Sequence, residues 1–206
     1  MKICISGPVS SGKTYFLDRM ADSQDTTVLS ESARKMAEMY PDMIDNNIGE
    51  FAVKSCEFHS QREHIIESLT TGVILCDRGI FDNLAFLLLQ DKKRFNKELT
   101  TVLHNYRNKA IKPYDYIFYF DIDLLDGITP LVKKALDDPL RKAIINIDNY
   151  AQHVADFRNA FIEVTSYFKD VKVIAITVKP CEEQFTERNE LAKDYIFQII
   201  HTGHNR

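Results

Sequence analysis

Cysteine is scarce in this 206-residue sequence: Cys4, Cys56, Cys76 and Cys181 are the four, and they show no paired spacing. Cys4 and Cys76 lie inside apolar, strand-like runs. A disulfide scaffold and a cysteine zinc site are therefore poor readings, and all four are expected as reduced thiols in a reducing cytoplasm. Long hydrophobic runs are missing as well. None approaches the roughly 20 apolar residues of a membrane helix, and residues 1–6 are apolar too briefly, before a polar Gly-rich stretch, for a signal peptide. Positive charge has no surplus: 26 Lys and Arg stand against 30 Asp and Glu, a formal net charge of -4, with a pI near 5.9. That balance speaks against a dedicated nucleic-acid binder but leaves room for a local basic pocket. His59 and His64 are not at i, i+4 and make no metal pair, and His201 and His204 sit in a polar tail. No internal repeat, low-complexity tract or linker-like stretch divides the chain. With 45% hydrophobic and 27% charged residues, it reads as one ordered domain, 1–206, burying about 70% of its unfolded surface.

Short apolar runs alternate with longer amphipathic segments. Strands are expected at residues 2–6, 26–29, 73–76, 116–120 and 171–178. All are rich in β-branched or aromatic residues without strict alternation, as parallel strands buried on both faces require. Helical spacing links Ile48, Phe51, Ala52, Ser55, Phe58, His59, Arg62, Ile65, Ile66 and Leu69. It also links Phe95, Leu99, Val102, Leu103 and Tyr106, and near the end Phe185, Leu191, Ala192, Tyr195, Ile196 and Ile199, with Pro180 expected in that last helix's first turn. Strands alternating with helices imply an α/β fold around a parallel sheet, and such sheets bind ligands at the carboxyl ends of their strands.

The first strand runs directly into Gly7-Pro8-Val9-Ser10-Ser11-Gly12-Lys13-Thr14, the full G-x-x-x-x-G-K-[ST] pattern. Gly7 and Gly12 permit turns that a side chain would forbid. The loop amides then cradle phosphate oxygens at a helix N-terminus, where the dipole also favours anions. Lys13 is expected to reach the β- and γ-phosphates, and the Thr14 hydroxyl to ligate Mg²⁺. The third strand ends in Asp77, a carboxylate placed to hold that Mg²⁺ through water. The guanine-reading pattern Asn-Lys-x-Asp is missing, since Asn96-Lys97-Glu98-Leu99 and Asn108-Lys109-Ala110-Ile111 both lack the final Asp. ATP is therefore the expected donor.

These pieces resemble the P-loop small-molecule kinases, the group with thymidylate kinase and the deoxynucleoside kinases. More narrowly, the loop, Glu31-Ser32-Ala33-Arg34 and Asp77-Arg78-Gly79-Ile80-Phe81-Asp82-Asn83-Leu84-Ala85 are similar to the AAA-type ATP-binding family that contains the bacterial ribosylnicotinamide kinase domain. The resemblance implies a three-layer α/β/α P-loop NTPase with a five-stranded parallel sheet of order 2-3-1-4-5, and an ATP- and Mg²⁺-dependent phosphotransferase. Its acceptor is a small nucleoside or nucleotide-like molecule: a deoxynucleoside, a nucleoside monophosphate or nicotinamide riboside. Two alternatives stay open: a nucleotide-hydrolysing regulatory module controlling a partner, and a polynucleotide or DNA-base kinase, against which the acidic balance weighs.

On the acceptor side, Glu31 follows the second strand directly, where it can take or orient the proton of an acceptor hydroxyl; capping the next helix is its structural alternative. Arg34, one turn on, reaches a phosphate or base, or is a solvated helix residue. In the resembled kinases the Arg at position 78 lies in the acceptor pocket. Asp82 either binds acceptor hydroxyls or caps the apolar helix 84–89. A lid must exclude water, and the candidate is the insertion about 124–165, opened by Asp126-Gly127-Ile128-Thr129-Pro130. Arg141 is the residue expected to close over the transferred phosphoryl group. The lid of the resembled kinases carries several closely spaced arginines, whereas this segment has Arg141 and then Arg158. The loop 178–181 lies where those kinases hold adenine. Homodimers are widespread among them, which leaves a homodimer open here.

Overall fold

A computed structural model describes residues 1–21, 26–30, 32–66, 72–108, 110, 114–138, 141, 145 and 147–203. The chain begins with β1 (Lys2–Ser6), α1 (Lys13–Met20), β2 (Thr26–Leu29), α2 (Ser32–Met39), α3 (Pro41–Asn46) and α4 (Ile48–Ile66). It continues with β3 (Val73–Asp77), α5 (Ile80–Gln90), α6 (Lys92–Arg107), β4 (Tyr116–Ile122) and α7 (Pro130–Leu136). A 3₁₀ turn (Ile147–Asn149) then leads into α8 (Tyr150–Ser166), β5 (Val173–Val178) and α9 (Glu182–Gly203).

The five strands form one parallel sheet in the order β2-β3-β1-β4-β5. Alternate residues of each strand point to opposite faces, and both faces are packed. Ile3, Ile5, Leu75, Phe118 and Phe120 meet Phe16, Leu17 and Met20 of α1 and Ala192 and Ile196 of α9. Cys4, Cys76, Ile117 and Tyr119 meet the apolar sides of α4, α5, α6 and α8 on the other face. This is the expected three-layer α/β/α arrangement. A third cluster, with Ile122, Val132, Leu136, Tyr150, Val154 and Phe185, lies beyond the strand ends and supports α7.

Burial on both faces holds for β1, β3 and nearly all of β4. It fails for the two edge strands: β2 is half-buried throughout, and β5 alternates exposed with half-buried residues. An edge strand has a neighbour on one side only, so helices cover it incompletely. β4 runs two residues beyond the expected 120, and β5 begins two residues after the expected 171. Helix α5 starts at Ile80, four residues before the expected 84, because the Asp82 carboxylate accepts the Gly79 N–H at 3.0 Å and closes the first turn. α9 starts at Glu182, so Pro180 precedes the helix, and its carbonyl accepts the Thr129 hydroxyl at 2.6 Å.

All four cysteines are free. Cys4 and Cys76 face each other across β1 and β3. Burial pushes these thiols and that of Cys56 upward from the ordinary cysteine range, so they stay protonated. Cys181 is partly exposed. Among the described residues no helix is long and apolar enough to cross a membrane.

Candidate active site

The turn from β1 into α1 is built by its glycines. Gly7 has φ +136° and Gly12 φ +78°. A Cβ on Gly7 would lie 2.3 Å from the Phe120 carbonyl oxygen of the neighbouring strand, so the loop could not dock there with any side chain. No side chain caps α1 at Gly12, which leaves its first-turn amides to an anion. Lys13 is buried; its Nζ donates to the carbonyls of Gly7 (3.0 Å) and Pro8 (2.7 Å) and to Ser11 Oγ (3.2 Å). The ammonium is thus curled inside the loop's own ring of oxygens. Thr14 is exposed and lines the cavity.

Arg78 and Asp82 form a second polar unit behind the loop. Arg78 Nη1 donates to the Gly7 carbonyl (3.0 Å) and to Asp82 Oδ1 (3.1 Å), with both side chains almost wholly buried. Asp82 also accepts the Ser6 hydroxyl at 2.6 Å. The Arg78 guanidinium lies over the Phe86 and Phe157 rings, 5.3 and 5.9 Å from their centroids. Arg78 takes φ 58°, a left-handed conformation that costs a side-chain-bearing residue of order 1–3 kcal/mol.

Sequence reasoning placed Arg62 only as a member of a helical stripe. The structure gives it a specific task. Its Nη2 donates to the Arg78 carbonyl (2.7 Å), and its Nη1 donates to the carbonyls of Ser30 (3.3 Å) and Asp77 (3.4 Å). One guanidinium therefore ties together the carboxyl ends of β2 and β3 and holds the strained Arg78 backbone. The signal was present: Arg62 is the one charged residue on the mostly apolar stripe of α4. Neighbouring His59 is fully buried, and its imidazole is held well below the usual histidine range, first by burial and then by the charges of Arg62 and Arg78.

Two more contacts on the loop come from remote parts of the chain. The Tyr150 hydroxyl, at the start of α8, donates to the Val9 carbonyl at 2.7 Å. Arg188, from α9, donates to the Ser11 carbonyl at 2.6 Å.

A cavity of about 570 Å³ spans this region. Val9 to Thr14 form its floor. At one end stand Tyr15, Glu182, Phe185 and Thr186; at the other Phe51, Ala52 and Ser55 of α4 face Asn83, Phe86 and Gln90 of α5. Ala33 of α2 and Ile48 reach its wall, and Leu131, Ala135 and Arg141 flank it. In the second end, Asn83 Nδ2 donates to the Ser55 carbonyl at 3.0 Å, and the buried Ser55 hydroxyl has no hydrogen-bond partner among the described residues.

The residues singled out from sequence fall as follows. Lys13, Thr14, Arg78 and Arg141 line the cavity. Asp77 is buried at the end of β3 and Asp82 is buried in the first turn of α5; neither forms the cavity wall. Arg34 lies on α2. Glu31 lies outside the described residues. Arg141 Nη1 donates to the Ala135 carbonyl at 2.6 Å, and its N–H to Asp138 Oδ1 at 3.3 Å. Arg158 instead makes a two-point ion pair with Asp121 at 2.9 Å on the far side of β4. Near the loop 178–181, helix side chains of α9 form the wall. The oxygen donors near the loop, the Thr14 hydroxyl and the Asp77 carboxylate, are hard ligands of the kind Mg²⁺ takes beside phosphate and water.

The loop, the parallel sheet and its order define a P-loop NTPase fold. The family model described as an AAA domain matches residues 2–158, and the chain belongs to that family. Among solved structures it is similar to deoxyadenosine kinase from M. mycoides with dCMP and dCDP bound. That likeness has 15% identity and a TM-score of 0.68, over 97% of this chain and 100% of that one. The same kinase with dATP bound gives 14% identity and a TM-score of 0.65, over 95% and 99%. Thymidylate kinase from Candida albicans gives 16% identity and a TM-score of 0.61, over 99% and 92%. These are likenesses of fold, the fold of the P-loop small-molecule kinases. No curated protein matches the chain by sequence.

Proposed function

We propose that this protein is a kinase that transfers the γ-phosphoryl group of ATP to a small nucleoside or nucleotide-like acceptor. The observation that carries this reading is the lining of the cavity. It continues from the phosphate loop into a second chamber walled by Phe51, Ala52 and Phe86, with the polar groups of Ser55, Asn83 and Gln90 among them. A protein that only hydrolyses a nucleotide needs water beside the γ-phosphate; an apolar chamber with a few amide and hydroxyl groups suits a heterocycle. The fold shared with deoxyadenosine and thymidylate kinases supports the same reading.

In this scheme the loop amides and Lys13 hold the donor phosphates, and Lys13 exchanges its carbonyl partners for phosphate oxygens. Thr14 and Asp77 would hold Mg²⁺, which when bound neutralises charge on the phosphates. Glu31 accepts the proton of the acceptor hydroxyl as its oxygen bonds to phosphorus and the bond to the β-phosphate oxygen breaks. Arg78, with Asp82 behind it, fixes the acceptor side of the loop, and Arg34 contributes to acceptor binding. The part of the insertion 124–165 that precedes α8 acts as a lid and brings Arg141 over the γ-phosphate, while α8 stays packed in the core.

The test is ATP consumption by the purified protein with Mg²⁺ against a panel of deoxynucleosides, nucleoside monophosphates and nicotinamide riboside, with Lys13→Ala as blank. At least a tenfold rise with one acceptor, lost in the blank, is expected. Slow turnover indifferent to every acceptor overturns the kinase reading in favour of a nucleotide-switched module.

A further inference from the structure

Arg188 is 1% exposed, and a buried guanidinium ordinarily brings an acidic partner with it. Arg78 does so through Asp82. Arg188 does not: its Nη1 donates to the Ser11 carbonyl at 2.6 Å and its Nη2 to Asn189 Oδ1 at 3.1 Å. Among the described residues no carboxylate pairs with it. Its guanidinium lies over the rings of Phe120 and Phe185, 4.0 and 4.7 Å from their centroids. Those π faces and the one carbonyl offset only part of the charge's desolvation. Burial by itself pulls its pKa down to about 9, with no neighbouring acid to hold it up. At neutral pH the group is still charged.

The surroundings of this charge are the loop itself. A Cβ on Gly12 would fall 2.8 Å from Arg188 Nη2, so a side chain there would push the guanidinium from its present place, and its φ of +78° favours glycine in any case. Ser11 joins the two cations: its carbonyl accepts Arg188 and its hydroxyl accepts Lys13. On the cavity side, α1 begins at Gly12 with no side-chain cap. The cation therefore backs a loop built to take an anion.

We propose that Arg188 is a positioning residue whose missing counter-charge is the nucleotide's phosphate chain, so that it strengthens phosphate binding through the loop while adding little net stability to the free protein. The proposal rests on the reading of the cavity as a nucleotide site. Because Arg188 sits behind the loop, it acts on the phosphate chain by field and by fixing Ser11, and not by contact.

The experiment compares wild type, Arg188→Met and Arg188→Lys, measuring Kd for ATP and for inorganic tripolyphosphate and the Tm of the free protein. Tripolyphosphate carries the charge without base or sugar. In Arg188→Met, both ligands are expected to weaken about tenfold or more by similar factors, with the free-protein Tm unchanged or raised. Arg188→Lys, which keeps the charge, is expected to stay within about threefold of wild type. Unchanged affinities in Arg188→Met overturn the proposal, as does a loss confined to ATP, which would put Arg188 at the base end. A collapse of free-protein stability, or a Lys variant as weak as the Met one, also overturns it, because the role would then be structural. Wild type binding neither ligand overturns the nucleotide-site reading itself, and Lys13→Ala provides that control.

Discussion

Two buried arginines grip the same loop, and they are solvated in opposite ways. Arg78 holds the first glycine's carbonyl and carries its neutralising carboxylate four residues away in sequence, on the same turn of chain. Arg188 holds the Ser11 carbonyl from the last helix and has aromatic rings where an acid would be. Removing one partner of a complete buried pair leaves a stranded charge, so the Arg78 unit secures the fold. Arg188 has no acid to lose, so its charge awaits a ligand. Two residues of one type and similar burial thus differ in role according to whether the counter-ion is supplied by the chain.

The sharpest break of this comparison starts with Lys13, the cation both units surround. Lys13→Ala should reduce phosphoryl transfer by at least about a hundredfold, measured as turnover with the best acceptor. Next is Asp82→Asn. It strands Arg78 and should destabilise the protein by about 3–5 kcal/mol, read by chemical denaturation, whereas Arg188→Met should cost much less by the same assay, because losing the donor to the Ser11 carbonyl is offset by removing a buried charge that has no acidic partner. Arg62→Met should come third, at about 2 kcal/mol or more, because three carbonyls lose a charged donor. It should also raise the KM for the acceptor more than that for ATP, since the strained Arg78 backbone is released.

Acid titration separates the two units more gently. Neutral His59 lies near Arg62 and Arg78, with its pKa held below the unfolded value. The unfolded state then binds the extra proton, so the stability this group contributes is present above about pH 6.5 and is lost as pH falls through that value. Tm should decline on acidification below about 6.5, and His59→Phe should flatten the decline. His153, also lowered by burial and by Arg78, adds in the same direction. The smallest effect is that of Tyr150→Phe, which removes the hydroxyl from the Val9 carbonyl and should cost about 1 kcal/mol.

Local pattern made some of this site readable and chain distance hid the rest. The loop is eight consecutive residues whose glycines serve their own turn, so the sequence alone displays it. The parallel sheet was readable because β1, β3 and β4 are apolar on both faces; β5, an edge, carries the weaker pattern and its start was misplaced. Asp82 was legible as one of two alternatives because its partner Gly79 is three residues away. Arg188 bonds a carbonyl 177 positions earlier and Tyr150 one 141 positions earlier. No spacing rule reaches that far, and on α9 the arginine reads as one more polar residue between Glu187 and Asn189. Arg62 was the intermediate case, a charge on an apolar stripe whose meaning depended on which strand ends lay opposite.

The distribution of thiols has a practical consequence. Cys4, Cys56 and Cys76 are enclosed and protonated, while Cys181 is partly exposed immediately before Glu182 and Phe185 on the cavity wall. In the folded protein a maleimide dye should therefore couple at Cys181 alone. The unmodified sequence thus supplies one optical reporter beside the donor end of the site, and labelling of the other three would time the opening of the core.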